Sequence, residues 1–237
     1  MTTGVRRRMG VEERKQQLIG VALELFGHRS PEDVSIDDIA AAAGISRPLV
    51  YHYFPGKQSL YEAALRRAAD ELAARFLEPH EGPLGARLHR VMERFFGFVD
   101  EHGPGFSALM RGGPSAGSGT AALIDGVRQA AYEQILAHLG VREPPARLEL
   151  TVRSWVSLAE SKALLWLDGR RIPRQELEWQ LVHDFAALCA VSAAYDDEMA
   201  GILLKILADE PADGAFADLV GRLMRLGAGV PDPRRQV

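Results

Sequence analysis

The sequence predicts an all-α protein, with a small N-terminal helix-turn-helix domain followed by a larger C-terminal helical domain. Apolar residues recur at helical spacing along most of the 237-residue chain, and no useful stretch alternates apolar with polar residues as a strand would. Glycines and prolines fall between these segments, where helices can end. A chain of this length can bury a core without a disulfide, and its single cysteine, Cys189, excludes an internal one.

Three helices are predicted in the N-terminal domain, residues 11–58. The first covers 11–27, and its apolar stripe is expected to cover the turn motif. The second ends at Gly44, and the third begins with Ser46 as N-cap and has Pro48 in its first turn, where a missing N–H costs little. In a helix-turn-helix, the second helix of the motif presents its side chains to the major groove of DNA.

The segment GISRPLVYHYFPGKQSLY, which begins at Gly44, resembles the signature of TetR-type transcriptional regulators. In that family a recognition helix ending in tyrosine, an aromatic residue and phenylalanine is followed one turn later by a lysine, here Lys57. The resemblance covers about residues 11–65 and implies a regulator that binds double-stranded operator DNA. The chain departs from the pattern at Leu49, where many relatives have a threonine that can donate a hydrogen bond to DNA.

Arg47 is the residue expected to read a base, because a guanidinium can donate to both O6 and N7 of guanine. The resemblance assigns Tyr51, His52, Tyr53 and Lys57 to phosphate contacts and to packing of the recognition helix, and a wholly structural role for Tyr53 stays open. The predicted DNA-binding residues are Ser35, Ser46, Arg47, Pro48, Leu49, Tyr51, His52, Tyr53 and Lys57.

The charge distribution agrees with a DNA-binding N-terminus. The chain carries a formal charge of −4, yet residues 1–67 hold ten Lys and Arg against eight Asp and Glu, which leaves the acidic excess in the remainder. Residues 1–10, with three consecutive arginines, are predicted to be a flexible basic arm, which either lies along phosphates or is a solvated tail.

The C-terminal domain, residues 59–228, is predicted to bind a ligand and to dimerise, and a disordered tail follows at 229–237. Its first helix starts near Gly56, breaks at Pro79 and is the expected mechanical link between the domains. A glycine-rich mobile loop is predicted at 112–119. Other helices are predicted, in chain order, at 84–103, 106–110, 124–139, 146–168 and 173–194, with two more in the extension 196–226, whose role the sequence leaves open.

The helices at 146–168 and 173–194 carry more apolar surface than one face can hide. Burial against a second copy accounts for the excess, and the resemblance implies the same four-helix dimer interface. Burial at the centre of a monomeric domain is the alternative. The predicted interface residues are Trp155, Leu158, Leu177, Leu181, Phe185 and Leu188.

Aromatic and sulfur-containing side chains concentrate in the middle of the chain, as in pockets for small apolar ligands, with a few polar groups that could orient a guest. Ordinary core packing would give the same composition. The predicted ligand-binding residues are Met92, Phe95, Phe96, Val99, His102, Phe106, Met110, Tyr132, Trp155, Glu160 and Trp166.

Catalytic and metal-binding motifs are missing from the sequence. It contains no GxSxG, Walker A or HExxH motif, and its histidines are scattered over different predicted helices, so neither an enzyme nor a cofactor or metal site is expected. Cys189 lies among apolar residues and is expected to be a core thiol rather than a redox sensor. No apolar segment suits a signal peptide or a membrane span, which predicts a cytoplasmic protein without a membrane partner.

These features together predict a homodimeric repressor that a small apolar or aromatic molecule releases from a palindromic operator. The effector, the operator sequence and the sign of regulation stay open. The alternative is a helical ligand-binding or adaptor protein whose turn motif serves protein contacts.

Overall fold

The computed structural model describes residues 10–110 and 118–228, except the side chains of 108, 109, 118 and 223–228. These residues form eleven α-helices and no strand, which confirms the all-α prediction. No helix in this part of the chain is long and apolar enough to cross a bilayer. The helices are α1 Val11–His28, α2 Ile36–Ala43, α3 Arg47–Tyr53, α4 Lys57–Arg75, α5 Leu84–Glu101, α6 Gly103–Met110, α7 Ser118–Leu139, α8 Ala146–Leu167, α9 Arg174–Ala193, α10 Asp197–Ala208 and α11 Ala215–Ala228.

The contacts divide the helices into two compact units. The first contains the described residues up to Ala74 together with Phe98–Val127, and the second contains Arg75–Gly97 and the described residues from Arg128 onward. The first unit is therefore larger than the predicted domain 11–58. The reason is that α4 and α6 pack directly on α1, as the edge-to-face contact of Phe26 with Tyr61 at 5.0 Å between ring centroids shows.

The core of the first unit grows from one apolar stripe of α1. Leu18, Ala22 and Phe26 are buried on this stripe and belong to one cluster with Val50 of α3 and Leu60 of α4. Burial of one face on each helix holds the turn motif against α1 and α4, since apolar surface removed from water stabilises the packed arrangement.

A second feature of this unit is the close approach of α6 to α1. A Cβ on Gly105 would lie 2.7 Å from the carbonyl oxygen of Phe26, and a Cβ on Gly27 would lie 2.7 Å from Nδ1 of His102. The sequence predicted that a helix ends near Gly103, and α5 does end at Glu101, two residues before the start of α6. Gly105 is required by the packing of two backbones rather than by the end of a helix.

The second unit is built around the pair α8 and α9. Trp155 donates its indole N–H to the carbonyl of Leu181 at 2.8 Å, and its ring meets Phe185 edge to face at 5.3 Å. Lys162 and Asp184 form an ion pair across the same two helices. Helices α10 and α11 pack on α9, so the C-terminal extension belongs to this unit.

Three sequence predictions fall wholly or partly on residues outside the described ranges. They are the basic arm up to residue 9, the tail 229–237 and most of the loop 112–119. The last two residues of that predicted loop are described and lie in the first turn of α7.

Candidate functional site

The turn between α2 and α3 is fixed by local chemistry. Ser35 is the N-cap of α2, where its hydroxyl accepts from the Asp38 N–H at 3.1 Å while the Asp38 carboxylate accepts from the Ser35 N–H at 2.8 Å. The Ser35 hydroxyl, which also donates to the Asp38 carboxylate at 2.7 Å, and the Ser35 N–H together lower the pKa of that carboxyl. Gly44 ends α2 with φ 66°, a left-handed conformation that glycine adopts without strain. The direction of α3 therefore follows from a capping box and one glycine.

Helix α3 buries one side and exposes the other. Val50 and, at its C-cap, Phe54 are buried in the core of the unit, whereas Arg47, Tyr51 and His52 are exposed. Pro48 is also exposed and lies in the first turn. The exposed side of this helix therefore carries four of the residues expected to contact DNA. They can enter a major groove without rearrangement of the core.

Arg47 is held at the start of α3 by two neighbours. Its Nη1 donates to the Asp37 carboxylate at 2.9 Å, and its Nη2 lies 3.4 Å from the Tyr51 hydroxyl oxygen. The contact with Tyr51 and the charge of Asp37 raise the pKa of Arg47, so the guanidinium stays charged. Sequence reasoning missed Asp37. In the sequence, an exposed carboxylate in the first turn of α2 was indistinguishable from any other acid that interacts with a helix N-terminus.

The remaining predicted DNA-contacting residues lie around this surface. The side chain of Ser46, the N-cap of α3, makes no capping hydrogen bond in the described structure, while Leu49 and Tyr53 are half-buried. Tyr53 meets the ring of His52 edge to face at 5.1 Å, so it supports the helix from one side. Lys57 begins α4, and its Nζ lies 3.4 Å from the carbonyl oxygen of Glu32. The structure thus brings the predicted set to one region of the first unit.

The first unit also encloses an apolar cavity of about 50 Å³. Helix α4 presents a stripe of six residues to it, three of which are alanines that leave space between the helices. The other walls come from α1, from α6 and from the parts of α5 and α7 in this unit. The lining residues are Leu23, Phe26, Gly27, Tyr61, Ala64, Leu65, Ala68, Ala69, Leu72, Phe98, His102, Gly105, Phe106, Met110, Leu123, Ile124 and Val127.

Three of the predicted ligand-binding residues, His102, Phe106 and Met110, line this cavity. Val99 is buried in the same unit but is not part of the lining. Sequence reasoning missed the walls supplied by α1 and α4, because the apolar stripe of α1 was expected to cover the turn motif and α4 was expected to link the domains. The signal that could have found them is the alanine-rich stripe of α4.

The other predicted ligand-binding residues lie in the second unit. Met92, Phe95 and Phe96 are buried on α5, and Phe96 meets Trp166 edge to face at 5.7 Å. Tyr132 is buried beneath a guanidinium on α8, and Trp155 is held by α9.

The polar atoms of Glu160, Trp155 and Trp166 in this second group have protein partners. Glu160 accepts from Arg128 through both carboxylate oxygens, at 2.9 and 2.7 Å. The indole N–H of Trp166 donates to the carbonyl of Ile172 at 3.0 Å, although its ring also borders an open pocket of about 400 Å³ at the end of α8.

The predicted interface residues differ in how deeply they are buried within the protomer. Trp155, Leu177, Leu181 and Phe185 are buried within the protomer, with at most 4% of each residue exposed, so a second copy could not reach them. They pack α8 on α9 instead. Leu158 and Leu188 are half-buried, and the large apolar residues left in contact with solvent on these helices are Leu150, Leu165, Trp179 and Val191.

One group of side chains in the second unit has the spacing of metal ligands. His89, Glu93 and Glu178 place ligand atoms within 4.8 Å of one another. The guanidinium of Arg174 donates to the Glu178 carboxylate at 2.7 Å and therefore already supplies the positive charge that a metal ion would bring. The ring of His89 stacks on Trp179 at 3.8 Å. These groups are better explained as an ion-paired part of the fold.

Comparisons with known families connect both parts of the chain to one group of proteins. A family model described as bacterial regulatory proteins of the tetR family matches residues 18–64. A second model, described as a tetracyclin repressor-like C-terminal domain, matches residues 84–188.

Individual relatives agree with these models. A crystal structure of a tetR-family transcriptional regulator from Streptomyces coelicolor is 76% identical, with 93% of this chain and 100% of that chain covered and a TM-score of 0.90. The HTH-type transcriptional activator FasR of Mycolicibacterium smegmatis is 26% identical over 170 residues, 69% of this chain and 77% of its own length. The HTH-type transcriptional regulator EthR of Mycobacterium tuberculosis is 37% identical over 60 residues, 25% of this chain and 28% of its own.

Proposed function

The chain belongs to the TetR family of transcriptional regulators, and from this premise we propose that it is a homodimer that leaves a palindromic operator when a small apolar molecule enters the first unit. The family consists of DNA-binding regulators rather than enzymes. The observation that carries the proposal is the exposed side of α3, with Arg47, Tyr51 and His52 pointing away from a core that holds Val50 and Phe54.

Dimerisation is supported by the apolar residues that α8 and α9 leave exposed. Leu165 is 71%, Leu150 66% and Val191 60% exposed, and Leu158 and Leu188 are half-buried beside them on the same helices. Exposed apolar area of this kind marks interaction sites in soluble proteins. A two-fold pairing of α8 and α9 would bury it and would hold two recognition helices for half-sites about 34 Å apart.

Ligand response is supported by the position and size of the apolar cavity. Its volume of about 50 Å³ is far below the several hundred cubic ångströms usual for small-molecule pockets, so a ligand must separate the helices in order to enter. The walls include α1 and α4, which also hold the turn motif. A molecule that binds only the separated arrangement would lower DNA affinity by population shift, without touching any residue that contacts DNA.

Repression is the direction that we expect, because a dimer that covers its operator excludes other proteins from the same DNA. FasR is named an activator, so the position of the operator relative to the promoter decides the sign. Mapping the operator by footprinting and assaying a reporter with and without the protein would establish it. The cytoplasm, where the operator lies, is the expected compartment.

The experiment that tests DNA reading compares two variants on a duplex selected by the purified protein from a random library. Arg47→Ala should weaken binding about 5- to 150-fold and relax preference at one base pair per half-site, because it removes a base contact. Lys57→Ala should weaken all sequences about equally and lower the salt slope by about one unit per phosphate contact.

Gel-shift titrations at two salt concentrations, with the preferred duplex and a scrambled one, measure both effects. Equal, sequence-independent losses in the two variants would show that Arg47 does not read a base. Failure to select any duplex would favour the adaptor function, in which the turn motif contacts protein.

A further inference from the structure

A pocket of about 420 Å³ in the second unit is separate from the apolar cavity and has a different lining. It lies between the start of α5, the end of α7 and the outer face of α10. Its walls combine apolar side chains with a group of basic ones. The lining residues are His80, Gly82, Pro83, Leu84, Arg87, His138, Leu139, Gly140, Val141, Ile202, Lys205, Ile206 and Asp209.

The basic side chains in this pocket are held close together. Nη1 of Arg87 donates to Nδ1 of His138 at 3.0 Å and approaches the His138 carbonyl oxygen at 3.4 Å. The rings of His80 and His138 lie 4.5 Å apart, and Nε2 of His80 donates to the carbonyl of Ala137 at 3.1 Å. Lys205 adds a positive charge from α10. Four basic side chains from three segments therefore surround one concavity.

Two N–H groups of this cluster are buried without an acceptor among the described residues. They are Nε of Arg87 and Nε2 of His138. Because Nδ1 of His138 accepts from Arg87, the neutral ring carries its proton on Nε2, which makes that atom a donor. His138 is only 7% exposed. Buried donors are nearly always satisfied in folded proteins, so a pair of orphans in one pocket indicates a missing acceptor.

The surrounding charges favour an anion as that acceptor. Burial, followed by the positive charges of Arg87, His80 and Arg90, lowers the pKa of His138 to about 4, against a smaller opposing effect of Glu78. Glu78 is engaged elsewhere, since its carboxylate accepts from Arg90 at 2.5 Å and from Arg94 at 2.7 Å.

The acids of α10 and its C-terminal end leave the basic excess in place. Asp209 lies in the lining and is exposed, so water screens its charge. Glu210 does not line the pocket; one of its carboxylate oxygens accepts from the Gly85 N–H at 2.8 Å, and the other is buried without a donor among the described residues. The pocket lining therefore contains one acidic residue, the basic residues Arg87 and Lys205, and two histidines. This balance of charges suits a ligand of low negative charge.

We propose that this pocket binds a small organic anion, with a carboxylate or phosphate group on Arg87, His138 and Lys205 and an apolar body against Leu84, Val141 and Ile206. Both orphaned N–H groups are closed to solvent in the unliganded protein, so the anion accepts from them only after the Arg87 and His138 side chains turn toward the pocket. The pocket volume falls in the range of small-molecule sites. This site is independent of the apolar cavity and of operator binding, so its test needs no DNA.

Three probes that share one ring separate the contributions of head group and body: benzoate, phenyl phosphate and benzyl alcohol. Calorimetric titration of the full-length protein should give a Kd below about 1 mM for at least one of the two anions and binding at least tenfold weaker for the alcohol. The tighter of the two anions identifies the head group. Equal affinity for benzyl alcohol, or no binding of either anion at ten times that concentration, would overturn the proposal.

Variants test whether the anion binds at the basic residues of this pocket. Arg87→Gln and Lys205→Gln should each weaken the better anion about 10- to 100-fold, because each removes a charge-assisted contact. Arg222→Gln, an exposed position on α11 outside the pocket, is the matched control and should leave affinity unchanged. Loss of affinity in the control to the same extent would refute the site.

The wild-type protein supplies a readout that does not depend on a variant folding. Saturation with the better anion should raise the titration midpoint of the His138 ring by at least one pH unit. The negative charge of the anion stabilises the imidazolium and offsets the positive charges of Arg87, His80 and Arg90. An unchanged midpoint in the saturated protein would overturn the proposal.

Discussion

Replacement of Gly105 by alanine tests the tight packing of α6 on α1 that shapes the apolar cavity. The new Cβ would lie 2.7 Å from the Phe26 carbonyl oxygen and 3.3 Å from Cα of Gly27, and both contacts are with backbone. Neither neighbour can rotate away as a flexible side chain would. The two helices must therefore separate, and the wall of the cavity moves with them.

The expected magnitude combines two opposing terms. Overpacking of a well-packed core costs about 1–3 kcal/mol, whereas replacing a helical glycine by alanine gains about 0.5–1 kcal/mol of helix propensity. At the middle of both ranges a net loss of about 1.25 kcal/mol remains, which lowers Tm by about 2.5–5 °C for a chain of this size. Gly126 of α7 is the matched control, since a Cβ there meets nothing within 4 Å. Gly126→Ala should raise Tm by about 1–4 °C.

Thermal unfolding followed by circular dichroism measures both variants, and denaturant unfolding at one temperature checks the sign. A Gly105→Ala protein as stable as Gly126→Ala would show that α6 and α1 do not approach as closely as described. A second consequence concerns the cavity. Helix separation in Gly105→Ala enlarges the space, so an apolar effector should bind this variant at least as tightly as it binds the wild-type protein.

Three further predictions follow from burial and charge. Leu165→Glu places a charge in the proposed α8–α9 interface and should yield monomers at micromolar concentration by analytical ultracentrifugation. Leu77→Glu, also at an exposed leucine, is the control and should stay dimeric. Equal behaviour of the two variants would place the interface elsewhere. The pKa of His138 lies below that of the unfolded chain, so the unfolded state binds more protons between pH 6.5 and about 4, and stability should fall as the pH drops through that window. Urea midpoints in His138→Gln should lose part of this pH dependence, and an unaltered profile would refute the assignment. Burial raises the pKa of the Cys189 thiol to about 12, so iodoacetamide at pH 8 should modify it only at the rate of unfolding, and fast labelling of the native protein would contradict this.

The sequence was sufficient for features that are encoded locally. Ser35 and Asp38 cap α2, Gly44 takes the left-handed conformation and Pro48 lies in the first turn of α3, and each of these acts within a few residues of its own position. The all-α fold and the turn motif were therefore predicted correctly, with helix boundaries close to those observed. The sequence also predicted an accessible Arg47, as a polar side chain in the first turn of the recognition helix, and Arg47 is exposed.

Tertiary structure alone decided which apolar faces meet each other. Trp155 and Phe185 suggested a dimer interface in the sequence, yet they pack against each other inside one protomer, and Leu165 is left exposed. Periodicity identifies an apolar face but not its partner, because an intramolecular and an intermolecular contact remove the same surface from water. The same limit applies to Arg87 and His138, which are 51 positions apart and meet only because the start of α5 lies beside the end of α7. Local capping and turn geometry are determined within a few residues of sequence, whereas cavities, buried donors and interfaces depend on contacts between distant segments.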